Sequence, residues 1–250
     1  MKRIIAGLLA VTVLAAATAA YAAPDIEMVR VKGGCYQMGD SFGEGGDYEK
    51  PVHQVCVDDF YIGKYVVTQA QWQAVMGNNP SSFKKCGGNC PVENVSWEDA
   101  HEFIRQLNEQ TGKNYRLPYE AEWEYAARSG GKQEQWSGTS DLDELGAYSW
   151  FADNSGKKTR PVGTRKPNGL GLYDMTGNVW EWCMDLYDAD YYKKSPEKNP
   201  RGPLSGSCRV VRGGSWLNSA SIVRSASRYI NTPSFRGDSY GFRLVLPAVQ

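Results

Sequence analysis

Helical periodicity stops at Ser129. From there to the carboxy terminus Gly, Asn, Asp and Pro recur every few residues, with Trp136, Trp150, Trp180, Trp182 and Trp216 set among them. No long helix survives such punctuation, and a disordered tail would be poor in large aromatics. The second half of the chain is therefore packed but irregular, built on short strands and aromatic anchors. Composition agrees: 27 glycines, 8 tryptophans and 15 tyrosines in 250 residues suit a loop-rich fold and not a helical bundle.

The first half carries clearer elements. Residues 27–39 read as extended chain with turns at Gly33-Gly34, and a glycine- and acid-rich loop runs from Asp40 to Pro51. Val52 to Tyr65 alternates well enough for a strand pair around Asp58-Asp59. Thr68 can cap a short helix over Gln69–Met76, which Gly77 stops. Ser96 caps the clearest helix: Trp97, Ala100, Phe103, Ile104 and Leu107 make one apolar face, Asp99 completes the cap, and Gly112 ends it. Pro118 starts a further helix to about Arg128, with Ala121, Trp123, Tyr125 and Ala126 inward and glutamates between them.

The amino terminus has Lys2 and Arg3, an apolar run from Ile4 to Ala17, and Ala20-Tyr21-Ala22. A basic start, an apolar stretch short for a bilayer and an A-x-A end describe a cleavable secretory signal over 1–22. The domain is then 23–250, secreted or periplasmic, with no stable membrane insertion after cleavage. Its 28 basic and 28 acidic side chains cancel, so charge favours neither nucleic acid nor a membrane surface as partner.

All six cysteines, Cys35, Cys56, Cys86, Cys90, Cys183 and Cys208, follow the signal. An even count in an exported chain reads as disulfides, although sequence alone leaves many connectivities. Order along the chain suggests Cys35–Cys56, Cys86–Cys90 and Cys183–Cys208. A redox or zinc role for Cys86-Gly-Gly-Asn-Cys90 fits less well, because redox pairs usually have two intervening residues and zinc needs further ligands. His53 and His101, the only histidines, lack metal-ligand spacing. No Ser/His/Asp or Cys/His arrangement supports a hydrolase, and the glycines form no phosphate-binding loop.

Several motifs, in order, carry a resemblance. They are Phe60-Tyr61-Ile62-Gly63-Lys64 leading to Thr68, Pro91-Val92-Glu93-Asn94-Val95-Ser96-Trp97, and Arg116-Leu117-Pro118-Tyr119-Glu120-Ala121-Glu122-Trp123-Glu124. Next come Gly171-Leu172-Tyr173-Asp174-Met175-Thr176-Gly177-Asn178-Val179-Trp180-Glu181-Trp182, Arg212-Gly213-Gly214-Ser215-Trp216 and Gly241-Phe242-Arg243-Leu244. The set resembles the formylglycine-generating-enzyme, or sulfatase-modifying-factor, family over nearly all of 23–250. The resemblance implies an α+β, C-type-lectin-like fold with two main helices, small twisted antiparallel sheets and much irregular chain. It does not settle function, since the family includes enzymes, siderophore-maturation proteins and binding proteins.

The enzyme branch of that family oxidises a substrate cysteine with copper held by two cysteines after the Gly-Gly-Ser-aromatic motif. Here those positions are Asn218 and Val223. Soft thiolates select Cu(I), an amide is hard, and valine has no donor, so copper and formylglycine generation of the known type are not expected. The resemblance also implies a structural calcium site at Asp174, Gly177, Val179 and Glu181, an all-oxygen set suited to that ion.

Toward the carboxy terminus Arg212, Arg224, Arg228, Arg236 and Arg243 read as part of a fixed frame, more suited to holding a loop-rich fold through carboxylates and carbonyls than to binding anions. The residues between frame positions, among them Leu217 to Val223 and Tyr229 to Thr232, include no Lys, Glu, Gln, Met or Trp. That pattern also resembles the variable regions of retroelement-diversified C-type-lectin-like proteins, where replacing adenines in AAC codons cannot reach those five types. The candidate ligand contacts are Trp216, Asn218, Ser221, Tyr229, Asn231, Phe235 and Tyr240, mixing rigid aromatic area with adaptable polar groups. The expected function is a binding module for a protein or glycan on the 217–240 surface. The alternatives are an oxidoreductase of altered chemistry in the same family, acting on protein cysteine or in siderophore maturation, and a structural part of an envelope assembly.

Overall fold

A computed structural model describes residues 23–248. The expected signal over 1–22 lies outside the described residues. Strands β1 (Met28–Val31), β4 (Phe60–Gly63) and β9 (Val245–Pro247) form one sheet in the order β1-β4-β9; β2 (Gly34–Met38) and β3 (His53–Val57) form a second. A four-stranded sheet, β7-β6-β5-β8, joins β5 (Trp180–Leu186), β6 (Arg209–Arg212), β7 (Arg228–Asn231) and β8 (Tyr240–Gly241). The sheets are antiparallel except for the parallel pairing of β5 with β8.

The α-helices are α1 (Gln69–Met76), α2 (Trp97–Thr111), α3 (Glu120–Ala127) and the single turn α4 (Leu145–Tyr148). Local chemistry fixes the first two where the sequence places them. Thr68 and Gln71 form a reciprocal capping box on α1, as Ser96 and Asp99 do on α2, and Gly77 and Gly112 end them in left-handed conformation. The apolar face of α2, Ala100, Phe103, Ile104 and Leu107, packs with Trp72, Trp182 and Phe242 in one core cluster. Trp72 and Phe103 stack at 5.4 Å.

Three expectations need correction. The segment around Asp58-Asp59 does hold two strands, but they do not pair with each other: β3 pairs with β2, and β4 with β1 and β9. Asp59 leaves the turn to accept the Gly33 amide at 2.9 Å, which ties the two sheets together. Helix α3 starts two residues after Pro118, and its Glu120 and Glu124 are buried, not solvated between inward residues. Cys35–Cys56 and Cys86–Cys90 are disulfides, but Cys183 and Cys208 are free thiols. The β5–β6 register explains this. Cys208 accepts the Tyr187 amide at 3.0 Å, and Cys183 lies four residues back along β5 with its side chain in the core. The Cys183 side chain is buried in the core cluster, while Cys208 precedes β6 and is only partly buried, so the two thiols do not meet. Burial pushes the Cys183 thiol well above its usual pKa, which leaves it inert.

Candidate functional site

The carboxy-terminal sheet has two unlike faces. In its register Glu181 sits opposite Arg212, and Arg212 opposite Arg228, so these side chains share the face turned to α3. There Glu120 takes Arg228 at 2.7 Å and Arg212 at 3.2 Å, while Glu124 takes Arg212 and also Arg128 at 2.8 Å. Arg212 further donates to the carbonyls of Ser225 and Ala226 at 2.8 and 2.9 Å, fixing the chain after Val223. Arg224 forks onto Glu49 through two 2.8 Å bonds, and Arg236 onto Asp99 at 2.6 and 2.7 Å. Arg243 grips Glu181 at 2.6 Å. The frame arginines therefore hold the fold; each has a carboxylate partner, and all but Arg236 are buried.

The opposite face is aromatic. Trp182, Val211 and Tyr229 share a register row, and Tyr240 lies beside Trp180. Tyr229 is 54% exposed with its ring 5.8 Å from that of Trp180. Phe235 is exposed and meets Tyr240 edge-on at 5.1 Å; Tyr240 in turn rests 5.6 Å from Trp182. Asn231 donates to the Tyr240 hydroxyl at 3.3 Å. Tyr229, Asn231, Phe235 and Tyr240 thus come together, but Tyr240 is buried and supports the surface instead of presenting itself.

The other candidates form a second group. Trp216 is half-buried, donates to the Asp238 carbonyl at 3.1 Å and meets Phe83 edge-on. Asn218 uses its side-chain oxygen internally, accepting the Ser215 amide and hydroxyl at 3.0 and 2.8 Å. Ser221 is exposed beside Ser219. Leu217 and Ile222, absent from the candidates, are exposed apolar residues of the same segment. Their aliphatic type gave no signal, because only the turn closed by Asn218 turns them outward.

The loop 174–179 leads directly into β5. Asp174 is buried in left-handed conformation and accepts the Gly163 amide at 2.9 Å and the Asn178 side chain at 3.3 Å. Gly177 is required there: with φ +80, a Cβ would stand 2.3 Å from the Trp150 carbonyl. Glu181 accepts the Trp123 indole at 2.7 Å and Arg243 on the same oxygen, while its second oxygen takes a single donor from Arg243. Desolvation raises the Asp174 pKa to about 6. For an acid this sign means that the native state holds its proton longer than the unfolded chain. In calcium-free buffer stability should fall as pH rises from about 4 to 6, by on the order of 3 kcal/mol. Asp174→Asn, tolerated at positive φ, should flatten that part of the pH profile in urea melts; a wild-type slope retained in the variant would assign it elsewhere.

The sulfatase-modifying factor enzyme 1-like domain profile matches residues 15–248. The chain belongs to that family. It is 34% identical to a formylglycine-generating enzyme of Streptomyces coelicolor over 86% of this chain and 87% of that one. Among solved structures it is similar to Treponema denticola variable protein 1, with 35% identity, a TM-score of 0.82 and coverage of 88% and 94%. PvdO from Pseudomonas aeruginosa matches at 27% identity and a TM-score of 0.74, over 88% of this chain and 94% of that one.

Against that family background the copper positions do not fit a metal. Val223 is fully buried in an apolar cluster with Trp136, Leu145 and Phe151, and the Asn218 oxygen already has two donors. Neither free cysteine lies between Ser215 and Arg224. The side chains at these positions make turns and packing, with no thiolate to hold Cu(I). Among the described residues no helix is long and apolar enough to cross a membrane.

Proposed function

We propose that this family member is an exported binding module whose ligand, a protein or a glycan, contacts the exposed residues of 217–240. One observation carries the reading: frame arginines are consumed in ion pairs while Leu217, Ile222, Tyr229 and Phe235 between them stand exposed. Such a segment can change its outward residues without changing its fold. Likeness to a Treponema denticola protein whose name describes it as variable supports the same reading. Sequencing the 3′ end of the gene across a population tests diversification. Substitutions confined to the exposed positions, with the arginine and glycine frame constant, are the expected result; an invariant segment removes diversification and leaves a dedicated binder. Oxidation of a sulfatase-derived cysteine peptide by the purified protein would overturn the binding reading itself.

A structural calcium ion in the 174–181 loop accompanies this proposal. Among the described residues no donor engages the carbonyls of Gly177 and Val179, Asp174 has no cation bonded to it, and one Glu181 oxygen keeps a lone pair. These oxygens fit a hard cation. The ion would fix the loop and play no chemical part. Calcium at about 100 times its dissociation constant should stabilise the chain by roughly 2.7 kcal/mol. Asp174→Ala should abolish that rise in melting temperature; a wild-type melt indifferent to calcium would remove the site.

A further inference from the structure

The chain is neutral overall, yet from Asn154 to Tyr173 it contains Lys157, Lys158, Arg160, Arg165 and Lys166 and no acidic residue. Among the described residues none of these cations is within ion-pair distance of a carboxylate. This departs sharply from the frame arginines Arg212, Arg224, Arg228, Arg236 and Arg243, each of which is matched. Two of the unmatched cations are also held in place. The Arg165 guanidinium lies 3.5 Å from the centroid of the Trp150 indole, and that of Arg160 lies 5.2 Å from it. Trp150 is itself fixed, donating its N–H to the Thr164 hydroxyl at 2.9 Å. Arg160 is anchored through Nε to the Ser155 carbonyl at 2.7 Å, and its backbone through two bonds to the Asn178 side chain. The Nε of Arg165 is shielded from solvent and has no partner.

The face of Trp150 attracts both guanidinium groups, but the two like charges repel each other, and an anion between them would relieve that cost. Desolvation and the Arg160 charge both lower the Arg165 pKa, in keeping with that cost. Guanidinium presents planar, bidentate donors matched to oxyanions, and stacking removes the rotamer entropy that binding would otherwise have to overcome. We propose that Arg160 and Arg165, positioned by Trp150, form an oxyanion site for the sulfate or phosphate groups of an anionic glycan, with the neighbouring lysines following the polymer. The site adjoins the 217–240 surface, since the Ala152 amide donates to the Asn218 carbonyl at 2.9 Å and Ser155 to that of Trp216 at 2.8 Å. It does not depend on that surface being a binding face.

The surroundings favour a glycan over other polyanions. One face of Trp150 is already covered by Arg165, so the ring is no open platform for a nucleobase. No exposed large hydrophobic residue lies between Leu142 and Leu204, so the loop has no anchor for a lipid surface.

The test measures binding of the purified chain to dextran sulfate, uncharged dextran and inorganic sulfate at about 0.15 M salt, where weak surface attraction is screened. Arg160→Ala/Arg165→Ala is compared with Lys193→Ala/Lys194→Ala, which removes the same formal charge from a distant site; thermal melts confirm that both variants fold. Dextran sulfate should bind, dextran should not, and the arginine variant should bind about tenfold more weakly while the lysine variant stays near wild type. Equal losses in both variants would reduce the effect to diffuse charge and overturn the site, as would absence of dextran sulfate binding. Inorganic sulfate binding as tightly as the polymer would overturn the polymer assignment. Single-stranded DNA or anionic vesicles bound as tightly, with the same arginine dependence, would overturn the choice of a glycan.

Discussion

Glu124→Ala should destabilise the protein by about 3–5 kcal/mol, the range for removing one partner from a buried ion pair. Glu124 is fully buried and holds Arg128 and Arg212 at once, while also accepting the Gly39 amide at 2.9 Å. Alanine leaves Arg128 without a carboxylate and Arg212 with Glu120 alone, and neither can relax to water, since their side chains are 1% and 0% exposed. Glu124→Gln keeps an acceptor but not the charge and should fall between wild type and alanine. Urea unfolding checks this through the midpoint, with the slope unchanged. A loss below 1 kcal/mol for alanine would mean that the network is not stabilising in the way described. The contrast with the outer face is the functional content: Leu217→Ser and Tyr229→Ser should stay within about 0.5 kcal/mol of wild type, as surface substitutions do.

Trp182→Ala should cost a similar amount, about 3–5 kcal/mol, for a different reason. Its side chain is fully buried between α2 and the sheet, and its indole N–H donates to the Val95 carbonyl at 3.0 Å. Truncation leaves a cavity and an unmatched carbonyl. It also removes the floor beneath Tyr240, on which Phe235 rests. Trp182→Phe refills most of the volume and should recover more than half of the loss. Chemical denaturation gives the stability change, and intrinsic fluorescence with an acrylamide quencher reports whether the outer aromatics loosen. An alanine variant as stable as wild type would show that Tyr240 and Phe235 are supported elsewhere.

The family and the structural part played by the frame arginines were legible in sequence, whereas Val223, Ser227 and Tyr240 between them are buried. Motifs such as Gly177-Asn178-Val179-Trp180-Glu181 and Arg212-Gly213-Gly214-Ser215 carry backbone requirements that survive as residue identities. Which carboxylates the arginines meet was not legible. Glu120 and Glu124 look solvated in a helical pattern, and only the packing of α3 under β5–β7 buries them. Tyr240 shows the same gap on the candidate surface, because its place beneath Phe235 depends on the parallel pairing of β8 with β5.

By itself the sequence determined what is settled within a few residues. Thr68 and Ser96 start helices, Gly77 and Gly112 stop them, and Cys86 meets Cys90 across a short loop, since each requirement is met by adjacent chain. The tertiary structure alone decided that β3 and β4 enter different sheets, that Cys183 and Cys208 stay apart, and that Arg160 and Arg165 gather at Trp150 without a carboxylate. These outcomes depend on register and burial set by distant residues. A single-residue shift along a strand turns every side chain to the other face, and local pattern carries no record of which partner strand sets that register.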